Sequence, residues 1–199
     1  PRKINPEQSK RLSEIESLDR RLLRHFHDKL IVKKSLTRQL VSFQANKTRA
    51  SYRWFKYKEA FSASLVEYLL GQYVIASGKV LDPFAGIGTT LFAASDIGMD
   101  ADGIELLPIG QQIIETRLCL EREFASDDFS ALISWAKERP WEKSQNKLPV
   151  SSLRITNGAY PEDTLAAIER YLYVLQRENV RVQTVLHLAL LCILESISY

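Results

Sequence analysis

Sulfur is scarce in this chain, which has two cysteines and one methionine among 199 residues. Two cysteines cannot build the disulfide framework of a small secreted domain. Cys119 and Cys192 both fall in apolar helical patterns, so both are expected as reduced core residues of a cytoplasmic protein. The three histidines are scattered and no Cys/His cluster has metal-ligand spacing, so no metal centre is expected. His187 lies on an apolar helix, where a core role is the expectation. Long apolar runs are missing as well. The longest, residues 188–194, is far too short to span a bilayer, so no membrane partner is expected. No charged-then-apolar leader opens the chain, and none is read as a signal peptide. The chain begins with Pro1 rather than Met, which leaves room for further sequence.

What is present suits one ordinary globular domain: 45% hydrophobic and 26% charged residues, with length enough for a core. The net charge of +3 conceals a strong asymmetry. Residues 1–58 hold 16 Lys/Arg against 5 Asp/Glu, while residues 59–199 hold 11 against 19. A basic segment of this kind suggests contact with a polyanion such as DNA. The alternative is a solvated helix whose basic face meets the acidic remainder.

Hydrophobic periodicity organises the rest. Leu12, Ile15, Leu18, Leu22, Leu23 and Phe26 recur at spacings of three and four, which predicts a helical arm from about 6 to 41. Residues 42–60 have no clean period and interleave aromatics with five basic residues. Such a segment can stack on bases or cap a ligand pocket, with Arg49, Arg53 and Lys56 as candidate DNA contacts. It can equally pin its aromatics into the core. A helix is expected over 61–70, with Ser64 and Glu67 as a capping box. A strand follows at 79–82, then a glycine turn, a helix over 90–97 closed by Gly98, and a second strand at 101–106. Pro108 opens a helix reaching about 124, and another begins near Asp127. Residues 138–152 read as a polar loop, 153–156 as a third strand, and 161–177 and 180–197 as two more helices. The last is apolar nearly all round and should be buried on several sides. The organisation read from this is an arm and aromatic/basic segment over 1–56, an α/β core over 57–126 and a helical segment over 127–199.

The turn Asp82-Pro83-Phe84-Ala85-Gly86-Ile87-Gly88-Thr89-Thr90 carries the chemistry. Between a strand and a helix, Gly86 and Gly88 allow a tight turn whose N–H groups can approach a ligand closely. The helix start adds positive partial charge suited to a carboxylate or phosphate. Glu105 ends the second strand, 23 positions after Asp82, where a carboxylate can accept hydrogen bonds from both hydroxyls of a ribose. The dinucleotide fingerprint Gly-x-Gly-x-x-Gly is not met, because Leu91 stands three residues after Gly88.

The string from Asp82 to Thr90 resembles the S-adenosylmethionine (SAM) motif of the DNA amino-methyltransferases, which act on adenine N6 or cytosine N4. Ala101-Asp102-Gly103-Ile104-Glu105-Leu106 is similar to the family's ribose-binding motif. Phe61-Ser62-x-Ser64-Leu65-Val66 resembles the Phe-Ser helix that closes over the methionine end of SAM. The resemblance covers roughly residues 57–120. It implies an incomplete, Rossmann-like class I α/β core with a helical N-terminal arm and two extra C-terminal helices. It also implies SAM as cofactor, held by Asp82, Pro83, Phe84, Gly86, Gly88, Thr89 and Thr90 at the turn. Glu105 and Leu106 would serve the nucleoside, and Lys58, Phe61 and Ser62 the carboxylate.

One family element is missing. The catalytic string (Asp/Asn/Ser)-Pro-Pro-(Tyr/Phe/Trp) orients the target amine and stacks on the flipped base. Seven prolines occur here and no two are adjacent. No catalytic residue is therefore assigned. The expectation is the SAM-binding part of a site-specific DNA methyltransferase of the restriction–modification type, inactive alone. Its partners would be DNA and the remainder of the enzyme, or a partner chain bearing the catalytic string. Two alternatives stand beside it: a non-catalytic SAM/DNA-binding subunit or truncated remnant, and an RNA guanine-N2 methyltransferase.

Overall fold

A computed structural model describes residues 6–29, 33–57, 60–73, 78–151, 153–154 and 156–199. The chain divides into two compact units, Pro1–Thr37 and Arg38–Tyr199. The first contains helix α1 (Pro6–Phe26), whose stripe of Leu12, Ile15, Leu18, Leu22, Leu23 and Phe26 is exposed. Pairs such as Glu7–Arg11 at 3.3 Å join its successive turns. The helix is shorter than its periodicity predicts. The Lys29 N–H turns back onto the Phe26 carbonyl at 2.8 Å, and a separate single-turn helix α2 (Arg38–Val41) opens the second unit.

In the second unit, strands β1 (Lys79–Asp82) and β2 (Asp100–Gly103) pair in parallel, Lys79 opposite Asp100 and Asp82 opposite Gly103. The connection between them is α4 (Thr89–Asp96), giving the crossover that a parallel pair requires. The strands' alternation puts Val80 and Ala101, both half-buried, on one face and Leu81, 65% exposed, on the other. Gly103 sets how closely α4 can lie on β2. A Cβ there would stand 2.9 Å from the Ala85 side chain and from both Leu91 methyls.

Helix α3 (Ala63–Gln72) packs along α4, and Ala63, Val66, Phe92 and Ala93 join Tyr52 in a shared core. Its cap is Ser62, two residues before the Ser64 of the expected box. Ser62, fully buried, accepts from the Leu65 N–H at 3.0 Å and donates to the Leu40 carbonyl. A buried Asn46, on the 3-10 turn Phe43–Thr48, fastens the same entry. Its amide donates to Phe61 O at 3.1 Å and accepts from Ala63 N–H at 3.0 Å. Phe43 and Tyr52 of this segment are buried in the core, as one of the two options for its composition has it.

The remainder is helical: α5 (Pro108–Arg122), α6 (Ser126–Glu138), single-turn α7 (Pro140–Lys143), α8 (Glu162–Leu175) and α9 (Val180–Ile193). Pro108 stands in the first turn of α5 as its sequence position demands. Buried Asp128 ties α6 to α9, meeting Arg181 Nε at 2.7 Å, Asn179 at 2.9 Å and its own helix entry through Ala125 N–H at 2.9 Å. Arg181, Ala125 and Asn179 together hold the Asp128 carboxyl down at about 2. Trp135, Trp141 and Tyr171 stack between α6, α7 and α8.

Three expectations are corrected here. The expected strand at 153–156 is a turn in its described residues, closed by Thr156, whose hydroxyl accepts from Leu153 N–H at 2.9 Å while its own N–H returns to Leu153 O. Among the described residues the sheet has two strands, so the architecture is mostly helical around a small parallel sheet. That is compatible with part of a methyltransferase core. Cys119 is buried but Cys192 is exposed, because α9 leaves its Ala189–Cys192–Ile193 side uncovered while burying Val182, Leu188 and Leu190. Finally, the seven-residue apolar run understates this helix. Val180–Ile197 is, by length and composition, apolar enough to cross a membrane, with a mean hydropathy of 1.6 over 18 residues. In this fold it packs on α5, α6 and α8.

Candidate cofactor site

The chain leaves β1 at Asp82 and reverses at once. Asp82 Oδ1 accepts from Phe84 N–H at 3.0 Å, a side-chain-closed turn that holds the strand end in shape. Two backbone bonds then lock the turn to the exit of β2: Ile104 N–H to Asp82 O and Ala85 N–H to Ile104 O, both 2.9 Å. Gly86 and Gly88 adopt φ of 55° and 78°, the left-handed region that disfavours any residue with a Cβ. Gly88 is doubly constrained, since a Cβ there would lie 2.8 Å from Ile114 and from Phe92. It also caps α4 without a side chain, so no cap side chain occupies the helix's first N–H groups.

These constraints open a cavity of about 460 Å³ at the C-terminal ends of the two strands. Its floor is the turn (Pro83, Phe84, Ala85, Gly86, Ile87, Thr89), one wall is Ile104, Glu105, Leu106 and Leu107, and the other is Tyr57, Ala60 and Phe61. Phe84 and Leu106 are both 86% exposed. The Thr89 hydroxyl is buried and has no hydrogen-bond partner. Burying a hydroxyl without a partner costs about 1–3 kcal/mol, so a group that supplies one would be bound with gain. Glu105 is half-buried. Its Oε1 accepts from Leu107 N–H at 2.7 Å and its carbonyl from the Gln111 amide at 2.8 Å.

The expected residues divide into groups. Phe61, Pro83, Phe84, Gly86, Thr89, Glu105 and Leu106 line the cavity. Asp82, Gly88 and Thr90 shape the turn without lining it. Ser62 is corrected. Its hydroxyl is committed to Leu40 and Leu65 in a fully buried cap, so it has no access to the cavity. Lys58 lies outside the described residues. Tyr57, Ala60, Ile104 and Leu107 also line the site and were not among the expected ones. Tyr57 belonged to the aromatic/basic segment, whose lack of period hid which ring turns inward.

Of the three cations expected to meet DNA, Arg53 and Lys56 are exposed. Arg49 is otherwise engaged, with Glu67 at 2.6 Å, Asp96 at 3.7 Å and its guanidinium over the Tyr52 ring. The same network continues beneath the turn. Tyr52 donates to Asp96 at 2.6 Å, and buried Arg117 joins Asp96 at 3.4 Å and Glu121 at 2.7 Å. Arg117 lies 3.9 Å over the Phe92 ring. Burial pushes the Tyr52 hydroxyl well above its usual range, so it stays a donor. A larger cavity, about 610 Å³, lies between α8 and the end of α9. Its lining of Trp141, Ile168, Tyr171, Leu190 and Ile193 with only Asp163 and Thr164 as polar side chains offers little to orient a ligand.

The donor set at the smaller cavity fits SAM. An orphan hydroxyl and a helix start suit the amino-acid end, and a carboxylate on the opposite wall suits the ribose. A family model described as DNA methylase matches residues 5–116. The chain is 52% identical over its whole length to the type II methyltransferase M.AvaI of Nostoc sp. strain PCC 7120, and equally to that of Anabaena variabilis. It is 33% identical over 83% of its length to the type II methyltransferase M.BsoBI of Geobacillus stearothermophilus. The chain spans 42% of the length of the first two relatives and 32% of the third. No solved structure matches it.

Proposed function

The chain belongs to the DNA methylase family, and on that premise we propose that it is the SAM-binding part of a site-specific DNA methyltransferase acting on the exocyclic amine of adenine (N6) or cytosine (N4). The observation that carries this reading is the cavity at 82–107, lined by left-handed Gly86, by Thr89 with its orphan buried hydroxyl and by Glu105 with its carboxylate. SAM bound there supplies the methyl group. Thr89 and the first N–H groups of α4 hold its amino-acid end, Glu105 accepts from its ribose, and Phe84 and Leu106 cover its apolar faces. In this reading the unit from β1 through α4 to β2 is part of a Rossmann-like class I core. The names of the relatives as type II methyltransferases support a restriction–modification role for the whole protein.

Calorimetry with SAM tests the assignment. Glu105→Ala is expected to weaken binding by about tenfold or more, the usual cost of losing hydrogen bonds to a charged group. Unchanged affinity would remove the ribose role. These 199 residues contain no Pro-Pro pair, and the chain alone is expected to transfer no methyl group from labelled SAM to DNA. Sequence-specific transfer by it would overturn that expectation.

DNA contact is proposed for Arg53 and Lys56. Replacing both by Ala should reduce the slope of log affinity against log salt by about 1.8, at about 0.9 per phosphate contact. An unaltered slope would return this segment to a purely structural role. Arg49→Ala should instead lower stability, because its guanidinium is held by Glu67 and Asp96.

A further inference from the structure

The first turn of α5 makes unusually close contact with both halves of the cofactor site. Gly110 is buried there, and a Cβ on it would stand 2.4 Å from the Gly86 carbonyl oxygen, 2.7 Å from Glu105 Cγ and 3.0 Å from Glu105 Cδ. Real Cβ atoms do not approach that near, so either the glycine turn, the carboxylate or the helix would have to move. The backbone oxygen cannot swing aside as a long side chain can. Gly110 stands in a helix without left-handed backbone, where glycine is a poor helix former with no conformational excuse. Its neighbour Gln111 is exposed and reaches back 2.8 Å to the Glu105 carbonyl, while the N–H of Leu107, just before the helix, holds Glu105 Oε1. The carboxylate is thus seated against a space that only glycine leaves and held by the Leu107 N–H, while Gln111 fixes the backbone that carries it.

We infer that Gly110 and Gln111 are positioning residues for Glu105, setting how the site grips the ribose hydroxyls of its nucleoside ligand. This rests on the proposed role of Glu105 as ribose acceptor. Neither residue is asked to touch the ligand. Their contribution is the fixed placement of an acceptor that does, and misplacement by a fraction of an ångström weakens a hydrogen bond steeply.

The test compares S-adenosylhomocysteine with its analogue lacking both ribose hydroxyls, by calorimetry on the 199-residue chain. The parent should prefer the hydroxylated ligand by about tenfold or more. Gly110→Ala and Gln111→Met should each lose most of that preference while binding the dehydroxylated analogue as the parent does. Either change made on top of Glu105→Gln should add nothing further. Because Gly110→Ala could unfold the chain, Gln111→Met, a volume-conserving change at an exposed position, carries the test by itself in that event. A loss equal for both ligands would mean that the turn at Gly86 has moved, and would overturn the inference. So would a parent-like preference in both variants when Glu105→Gln has lost it. A parent with no preference would overturn the ribose role and this inference together.

Discussion

The ground beneath the glycine turn and the cavity above it treat their polar groups in opposite ways. Below, Tyr52, Asp96, Arg117, Glu121, Arg49 and Glu67 form a closed network in which each partner satisfies another, and two guanidiniums lie over aromatic rings. Above, the Thr89 hydroxyl is buried without a partner and Phe84 and Leu106 stand 86% exposed. The lower layer is finished within the chain; the upper one leaves bonds to be made. That difference separates scaffold from site better than cavity size does, since the larger cavity between α8 and α9 is the poorer in chemistry.

Substitutions can break this comparison from either side. The largest effect is expected deep in the helical scaffold. Trp135, 4% exposed, stacks on Trp141, meets Tyr171 edge to face and donates to Glu178 at 2.7 Å. Trp135→Ala should destabilise the chain by about 3–5 kcal/mol in urea titrations, while the molecules that remain folded bind SAM as before. A matching loss of affinity would mean that scaffold and site are not separable. Gly88→Ala acts on the boundary between the layers. The strain of a left-handed Ala and its clash with Ile114 and Phe92 should cost about 1–3 kcal/mol, and SAM affinity should fall with it.

Thr89→Val sharpens the contrast most. It removes the orphan hydroxyl at nearly constant shape, so stability should hold or rise slightly while SAM affinity drops by about tenfold. A stability loss there would show that the hydroxyl serves the fold. The smallest expected effect is a pH dependence confined to the scaffold. Asp128 is held down at about 2 by Arg181, Ala125 and Asn179, so its ionised form stabilises the fold above the ordinary carboxylate range. That contribution is lost as pH falls through about 2. The stability gap between the parent and Asp128→Asn should therefore narrow on acidification from pH 6, as followed by urea midpoints. A gap independent of pH would deny the carboxylate this role.

Much of the site was legible because its determinants are short-range. The strand, the two glycines and the helix start lie within a dozen residues, and Glu105 follows two residues past the next strand. Gly86 and Gly88 could be read as turn formers because the left-handed backbone they adopt is a local property. Pro108 marked the start of α5 for the same reason. The 6–41 arm was over-read because periodicity shows where a helix can run, not where a turn stops it. The strand at 153–156 was misread because a short apolar stretch becomes a strand only beside a neighbour to pair with, and Thr156 closed it into a turn instead. Cys192 looked like a core residue on an apolar helix, and only packing decided which sides of α9 would be covered.

The sequence by itself determined the tight glycine turn, the carboxylate just beyond the next strand and the family, all set by residue identity at fixed local spacing. Tertiary structure alone decided which polar groups remain for a ligand. Ser62 is committed to Leu40 and Arg49 to Glu67, whereas Thr89 keeps a free hydroxyl and Gly110 leaves the space that seats Glu105. Those outcomes depend on contacts between segments far apart in the chain, Ser62 with Leu40, Arg49 with Glu67 and Gly110 with Gly86, and for Thr89 on the lack of one. No local pattern encodes them, because a hydroxyl or a guanidinium is the same group whether or not a distant partner has taken it.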